Sequence, residues 1–451
     1  MVRASSLPGD ARCDAEFFKQ RYLADDRLLA TRNPSSLGEY AFVTDGAHGY
    51  HEVDPDSDIV MLTAQSANKF VASRDGADRI ARWVDDANKR SALEAGDLIL
   101  STRGTVGKCA LVLPEVLPAN LDQDIARIAL YPDAPIQPEV LATYINSSFG
   151  QDHITRYSTG MVQQGISLAK VRQIPIPRFT EVVQNAVRGT IREAIGARDA
   201  AASAQRAAEG VLLDALGLRD FTPDDPLTYT RPATAARAAG RLDAQYFAPK
   251  HDVVLKRLQD TGSFETVAQL CSIVARGRQP LYAEEGRTVI NSRHVLRNKI
   301  VINDGNRRAA ASGHLICSGD VLVNGTGVGT IGRAAAYLLA EAVVPDNHVT
   351  ILRAVSIDPV YLALFLNCVV GRSQLERMIK GSSGQIELYP DDIGGCLVWL
   401  PPSDIEAEIV ASMEASAAAE QRSFALLARA KRAVEVAVEA GEAAALAVLD
   451  A

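Results

Sequence analysis

Residues 319–337 read GDVLVNGTGVGTIGRAAAY. A short apolar run, Val321 to Val323, enters Gly327-Val328-Gly329-Thr330-Ile331-Gly332, the G-x-G-x-x-G spelling of a dinucleotide-binding turn. That spelling has physical content only where strand, turn and helix follow one another. Backbone amides at the helix N-terminus then face a pyrophosphate, with an acidic residue about 20 positions on. No acidic residue is clearly placed here. The stretch also has an earlier counterpart, GDLILSTRGTVGKCALV at 96–112, in which the fingerprint is broken. A phosphate-binding P-loop fails there too, because Gly107-Lys108 is followed by Cys109 and Thr102 stands where the first glycine is required. Both copies keep a strand, a glycine turn and an apolar run, Ala110 to Leu113 and Ala334 to Leu339. The first run ends at Pro114, too soon for a helix, so both copies predict a β-hairpin on a β-rich domain.

The rest of the chain repeats in the same order, with a period of about 225 residues. ARCDAEFF (11–18) returns as GRLDAQYF (240–247), and NLDQDIARIAL (120–130) as VPDNHVTILRA (344–354). YINSSFGQDHITRYSTG (144–160) returns as FLNCVVGRSQLERMIKG (365–381), and QIPIPRF (173–179) as LVWLPPS (397–403). Five segments in register point to two related units.

Each unit runs into a long helical pattern. After Pro175 and Pro177, Val183, Val187, Ile191 and Ile195 recur every four residues and mark one apolar face. After Pro401 and Pro402, Ser403 is a predicted N-cap with Glu406 completing a capping box. Leu427, Ala430, Val434 and Ala437 then step as a coiled-coil seam. Each segment would reach about 60 Å if unbroken, with Gly189, Gly196, Gly210 and Gly441 as the places to bend or fray. The fold class is therefore α+β: two β-rich domains in tandem, each followed by a long helix, the two helices pairing antiparallel. The expected boundaries are 1–177 for the first domain and 178–220 for a central helical spacer. The second domain spans 221–400 and a C-terminal helical spacer 401–451, with the Pro-broken, Asp-rich stretch 219–240 as the linker.

The chain has 451 residues, 47% hydrophobic and 23% charged, so each domain can bury an ordinary core. No apolar run approaches the roughly 18 residues of a membrane helix, and MVRASSLPGDARCDAEFF holds no signal-peptide core, so a cytoplasmic protein is expected. The six cysteines form no C-x-x-C and read as reduced thiols; His48 and His51 lie in a loop-like stretch that argues against a metal site. No H-E-x-x-H, G-x-S-x-G or amino-methylation loop occurs, so no catalytic constellation is legible.

Net charge is −8, but the charge is uneven. The last 51 residues hold nine acidic against four basic residues, whereas Cys271 to Arg308 holds eight basic against three acidic. A glycine turn lets backbone approach a phosphate, neighbouring Arg or Lys neutralises it, and Arg and Gln read guanine and adenine edges. The first unit offers Lys69, Arg74, Arg103 and Lys108, then Arg156, Ser158, Thr159, Gln163 and Gln164 in RYSTGMVQQGIS. The second offers Arg276, Arg278, Arg293, Arg297, Lys299, Arg307, Arg308 and Arg333, then Lys380, Ser382, Ser383 and Gln385 in KGSSGQIE. Clusters at corresponding places favour double-stranded DNA as the partner.

The order of a variable β-rich unit, a G-D-[LV]-[IL]-[LV] hairpin, a glycine- and glutamine-bearing loop, I-P-[IL]-P and a long helix, all of it twice, resembles the specificity subunit of type I restriction–modification systems. DGAHGYHEVDPDSDIVMLTAQSANK (45–69) and RGRQPLYAEEGRTVINSRHVLRNKI (276–300) resemble the openings of that family's target recognition domains. The resemblance implies that each domain reads one half of a bipartite site. It implies that the helices set a spacer near one DNA turn and dock methyltransferase (modification) subunits, and it allows a restriction or translocase subunit in the assembly. The chain itself would be non-catalytic and without a cofactor, S-adenosylmethionine belonging to the partner. A divergent phage-defence methyltransferase system fits the sequence equally. Two other classes stay open: a coiled-coil adaptor that binds no DNA, and a nucleotide-dependent enzyme using Gly327 to Gly332.

Overall fold

The computed structural model describes residues 14–160, 164–222, 224–303, 305–311, 313–381 and 386–450. The chain divides into two compact units, Met1–Asp199 with Ala419–Ala451, and Ala200–Ala418. The division falls inside the helices Glu181–Ala215 and Ser403–Glu439, each of which belongs partly to one unit and partly to the other. Among the described residues no helix is long and apolar enough to cross a membrane.

Each unit is built on the same four-stranded antiparallel sheet. In unit 1 the strand order is Ala41–Asp45, Ile125–Leu130, Leu98–Ser101, Cys109–Leu111; in unit 2 it is Cys271–Arg276, Val349–Ala354, Asp320–Asn324, Ala334–Tyr337. The last two strands of each sheet form the anticipated hairpin, with Leu100 opposite Cys109 in one unit and Val323 opposite Ala334 in the other. The G-x-G-x-x-G stretch is therefore a hairpin turn that leads into a strand, and no helix N-terminus follows it. A smaller sheet accompanies each. Val60–Leu62 runs parallel to Ala119–Leu121 and antiparallel to Asp78–Arg79, while Arg287–Ile290 runs parallel to Val344–Pro345 and antiparallel to Arg308–Ala309.

The recurring Gly-Asp explains itself. Gly96 and Gly319 take φ of +92° to +95°, a backbone that L side chains rarely adopt. Asp97 accepts from the Glu94 amide at 2.8 Å and from Arg127 Nε at 2.7 Å; Asp320 accepts from the Cys317 amide at 2.7 Å and from Arg353 Nε at 2.8 Å. One carboxylate thus closes the turn and ties two neighbouring strands in each unit. Asn146 and Asn367 repeat a second device. The Asn146 side-chain amide donates to the carbonyls of Cys109 (2.7 Å) and Ala142 (2.9 Å), and that of Asn367 to those of Ala334 (2.7 Å) and Ala363 (2.9 Å). Each clamps a helix end to the second hairpin strand.

Gly150 and Gly371 open the next helices, Ser148–Tyr157 and Val369–Met378. A Cβ at either would stand 2.5 Å from the Ile145 carbonyl or 2.3 Å from that of Phe365, so only glycine fits. The same helices receive the DAEFF and DAQYF segments. Asp14 and Asp243 accept from the amides of Phe17 (2.9 Å) and Tyr246 (3.1 Å), and these rings lie under Arg156 (4.3 Å) and Arg377 (4.6 Å).

The long helices are Glu181–Ala215 and Ser403–Glu439. The first passes unbroken through Gly189, Gly196 and Gly210, whereas Gly441, at φ +97°, separates the second from the short helix Glu442–Asp450. Ser403 is the first helical residue rather than a preceding cap, and the Glu406 carboxylate accepts from the Asp358 amide at 3.0 Å instead of closing a capping box. In unit 1 the Thr180 amide donates to Glu442 at 2.8 Å and Ser423 Oγ to the Ala194 carbonyl at 2.7 Å, so the chains run antiparallel. In unit 2 Ser416 Oγ donates to the Ala201 carbonyl at 2.7 Å, in the same register. Val183, Val187 and Ile191 are buried with Ala430, Val434 and Ala437 in the unit 1 core, as the apolar stripes predict, and Ala208 and Leu212 share the unit 2 core with Ile409 and Met413.

Candidate nucleic-acid interface

The hairpin turns and the downstream loops, distant in sequence, meet in space. In unit 1 Arg103 bridges Gly165, which bridges Thr159; in unit 2 Thr326 bridges Glu387, which bridges Lys380. Gly160 and Gly381 turn out of this junction with φ of +108° and +103°. Both units therefore place the base of a glycine hairpin beside the base of the RYSTGMVQQGIS or KGSSGQIE loop. Gln163, Ser382, Ser383 and Gln385 lie outside the described residues.

The candidates sort by what already holds them. In unit 1 Lys69, Arg103, Lys108, Thr159 and Gln164 are exposed. Lys69 sits on the segment bordering the hairpin, where the Leu111 amide donates to the Phe70 carbonyl at 2.8 Å. Arg103 forms a 3.3 Å ion pair with Asp124, and Ser158 Oγ donates to the Ile154 carbonyl at 2.7 Å at the end of its helix. Arg74 and Arg156 are not presented as readers. Arg74 ties the carbonyls of Asp58 (2.5 Å) and Leu117 (3.4 Å) together. Arg156 is 9% exposed, donates to the Phe17 carbonyl and to Asp26 at 2.8 Å, and stacks on Phe17. Its side chain holds the opening segment of the unit.

In unit 2 Arg278, Arg293, Arg297, Arg307, Arg308 and Lys380 are exposed, and Lys299 and Arg333 are half-buried. Arg307 lies over the Tyr282 ring, Arg308 donates to the Gly286 carbonyl at 3.1 Å, and Lys380 pairs with Asp392 at 2.8 Å. Arg276 is a tie rather than a reader: it donates to the Leu388 carbonyl at 2.7 Å and the Gly325 carbonyl at 3.4 Å, binding loop to hairpin. Arg372 was not legible as a candidate, because its counterpart in unit 1 is Gln151, which donates to the Gly107 carbonyl at 2.8 Å. With Arg297 and Arg333 it lines a cavity of about 270 Å³.

The titratable groups are set for structure. Burial pushes the Cys271 and Cys396 thiols up to about 12 and Cys368 to about 11. The described cysteines are all free. Asp97 is raised because burial outweighs Arg127, and Asp122 and Asp346, on matching loops, are raised by burial as well. Among the described residues no group of His, Cys, Asp and Glu is arranged to hold a metal ion.

No family model and no curated protein sequence matches the chain. Among solved structures, the type I restriction–modification S subunit from M. genitalium is similar over 92% of this chain and 95% of its own, at 11% identity and a TM-score of 0.38. The HsdS subunit from Thermoanaerobacter tengcongensis aligns over 91% and 97%, at 16% identity and a TM-score of 0.29. A chain from a structure titled for complex assembly and conformational transition of the type I R-M system aligns over 93% and 96%, at 17% identity and a TM-score of 0.29. At these scores the superpositions carry no weight of their own, and the functional reading rests on the duplicated geometry.

Proposed function

We propose that this chain is a non-catalytic DNA-recognition subunit of a type I restriction–modification complex or a related defence methyltransferase. Each unit reads one half of a bipartite site, and the long helices set the spacer and dock the methyltransferase subunits. The observation that carries this reading is the repeated junction of hairpin and loop on one scaffold with different rims. Arg103, Thr159 and Gly165 stand in unit 1 where Thr326, Lys380 and Glu387 stand in unit 2. Identical frames carrying different side chains suit two dissimilar half-sites, since base edges are discriminated by the donor and acceptor pattern offered to them. Catalysis and S-adenosylmethionine binding fall to the partner.

Co-expression with the cognate methyltransferase, followed by mapping of modified adenines across the host genome, tests the reading. A bipartite motif with a fixed gap is the expected result. A single contiguous motif, or no modification that depends on this chain, would contradict it.

A further inference from the structure

The second unit contains a cavity lined by three arginines. Arg297 comes from the turn between Val295–Leu296 and Lys299–Ile300, Arg333 from the end of the glycine hairpin, and Arg372 from the helix Val369–Met378. All three line one cavity of about 270 Å³, edged by Gly329 and Gly332. Among the described residues Glu376 is the one carboxylate in the lining, and it is paired with Arg372 at 3.2 Å. The guanidinium of Arg297 is held below its ordinary value, first by burial and then by the charges of Arg372 and Arg333, against the opposing charges of Glu209 and Glu376. Three like charges thus crowd one space whose single lining carboxylate leaves them in excess.

The cavity is also stiff. The Asn298 amide donates to the Ala334 carbonyl at 2.8 Å, and the Asn367 side-chain amide donates to Asn298 Oδ1 at 2.7 Å and to the Ala334 carbonyl at 2.7 Å. These bonds lock the Arg297 turn to the residue that follows Arg333. Repelling charges are therefore kept together by a framework that does not need them, an arrangement that favours a bound anion over the empty cavity. Guanidinium forks match tetrahedral oxyanions bidentately, and flanking glycines leave room for a bulky group. Unit 1 has Lys108 and Gln151 in place of Arg333 and Arg372, with Gln151 already spent on the Gly107 and Ile145 carbonyls at 2.8 Å.

We propose that this cavity seats one phosphate group, so that unit 2 alone grips a single phosphate through Arg297, Arg333 and Arg372. The inference rests on the recognition reading for its source, a backbone phosphate of the duplex; free phosphate is the other source of the same chemistry. The test uses the complex with its methyltransferase, wild type and with Arg297→Gln, Arg372→Gln or Arg297→Lys. Duplexes of the mapped sequence carry a neutral methylphosphonate at one position at a time, and thermal unfolding is followed with added inorganic phosphate.

If the duplex supplies the phosphate, one methylphosphonate in the unit 2 half-site weakens wild-type binding about tenfold, the scale of a charge-assisted hydrogen bond. It then has no further effect on Arg297→Gln. Both glutamine variants lower the steepness of the salt dependence by about one unit, leave sequence preference and melting temperature unchanged, and Arg297→Lys recovers part of the affinity. If the source is a free anion, inorganic phosphate raises the melting temperature of the wild type but not of Arg297→Gln, and the methylphosphonate series is flat; the phosphate cavity then stands with the other source. Normal duplex binding with neither response overturns this inference and leaves the recognition reading intact. Absence of both duplex and phosphate binding overturns the two together.

Discussion

In unit 1 the hairpin turn joins Ser101 to Cys109, presents Arg103 and Lys108, and meets a loop through Gly165. In unit 2 the corresponding turn, from Asn324 to Ala334, is two residues longer, presents glycines and Arg333, and meets its loop through Glu387. Beneath both lie the same Gly-Asp turn, the same strand order and the same asparagine clamp. Two copies that keep their buried polar ties while exchanging their rims show which residues answer to the fold and which are left to a ligand. Buried donors and acceptors must be satisfied whatever the protein does, whereas rim residues face no such demand.

The largest effect that would sharpen this comparison comes from the Gly-Asp carboxylates. The Asp97–Arg127 pair is enclosed, with side chains 8% and 10% exposed, while the Arg353 partner of Asp320 is 33% exposed. Asp97→Ala should cost about 3 kcal/mol, because the buried Arg127 guanidinium loses its enclosed partner and keeps only the exposed Glu94 carboxylate at 3.5 Å. Asp320→Ala should cost less, since Arg353 can recruit water. Thermal unfolding of both variants checks the order, and equal losses would show that the two ties are not energetically distinct.

A smaller loss, of about 2 kcal/mol in each unit, is expected for Gly150→Ala and Gly371→Ala, where the added carbon must displace a carbonyl. Tolerance at one site but not the other would break the equivalence of the two helix starts.

The smallest effect distinguishes the units by pH. Burial, reinforced by Asp152, pushes Asp25 up to about 6. A carboxyl raised in the folded state binds a proton there before the unfolded chain does. Its contribution to stability is therefore lost as pH rises from about 4 through 6 and regained as pH falls. Asp25→Asn should flatten that slope and stabilise the protein at pH 7 by at most about 1 kcal/mol after solvent screening. Melting temperatures at pH 5 and pH 7 measure it, and an unchanged slope would remove Asp25 as the cause.

Much of this frame was readable in the letters. Repetition of GD and of the asparagine in YIN and FLN marked positions that proved to be ties, whereas Arg127 and Arg353 stand at different places in the repeat, opposite Ile99 and Asp320. Their partners lie about 30 residues away, so the letters showed recurrence without showing contact. The broken glycine fingerprint in the first copy identified the hairpin because a cofactor turn cannot lose its glycines while a hairpin can exchange them. The site was less legible. Arg74, Arg156 and Arg276, in a loop, a helix and a strand, carry the same letter whether they face water or support a core. Arg372 was hidden for the opposite reason, since its repeat partner is neutral Gln151. The helix boundaries misled at Glu406, whose carboxylate found a better donor across the unit than at its own helix start.

The most direct test of two different readers on one scaffold is a half-site experiment. The complex is titrated with duplexes in which one half or the other of its site is scrambled, using wild type, Gln164→Ala and Arg293→Ala. The prediction is that Gln164→Ala loses discrimination only at the half read by unit 1 and Arg293→Ala only at the half read by unit 2. Equal loss of discrimination at both halves for either variant would contradict the account.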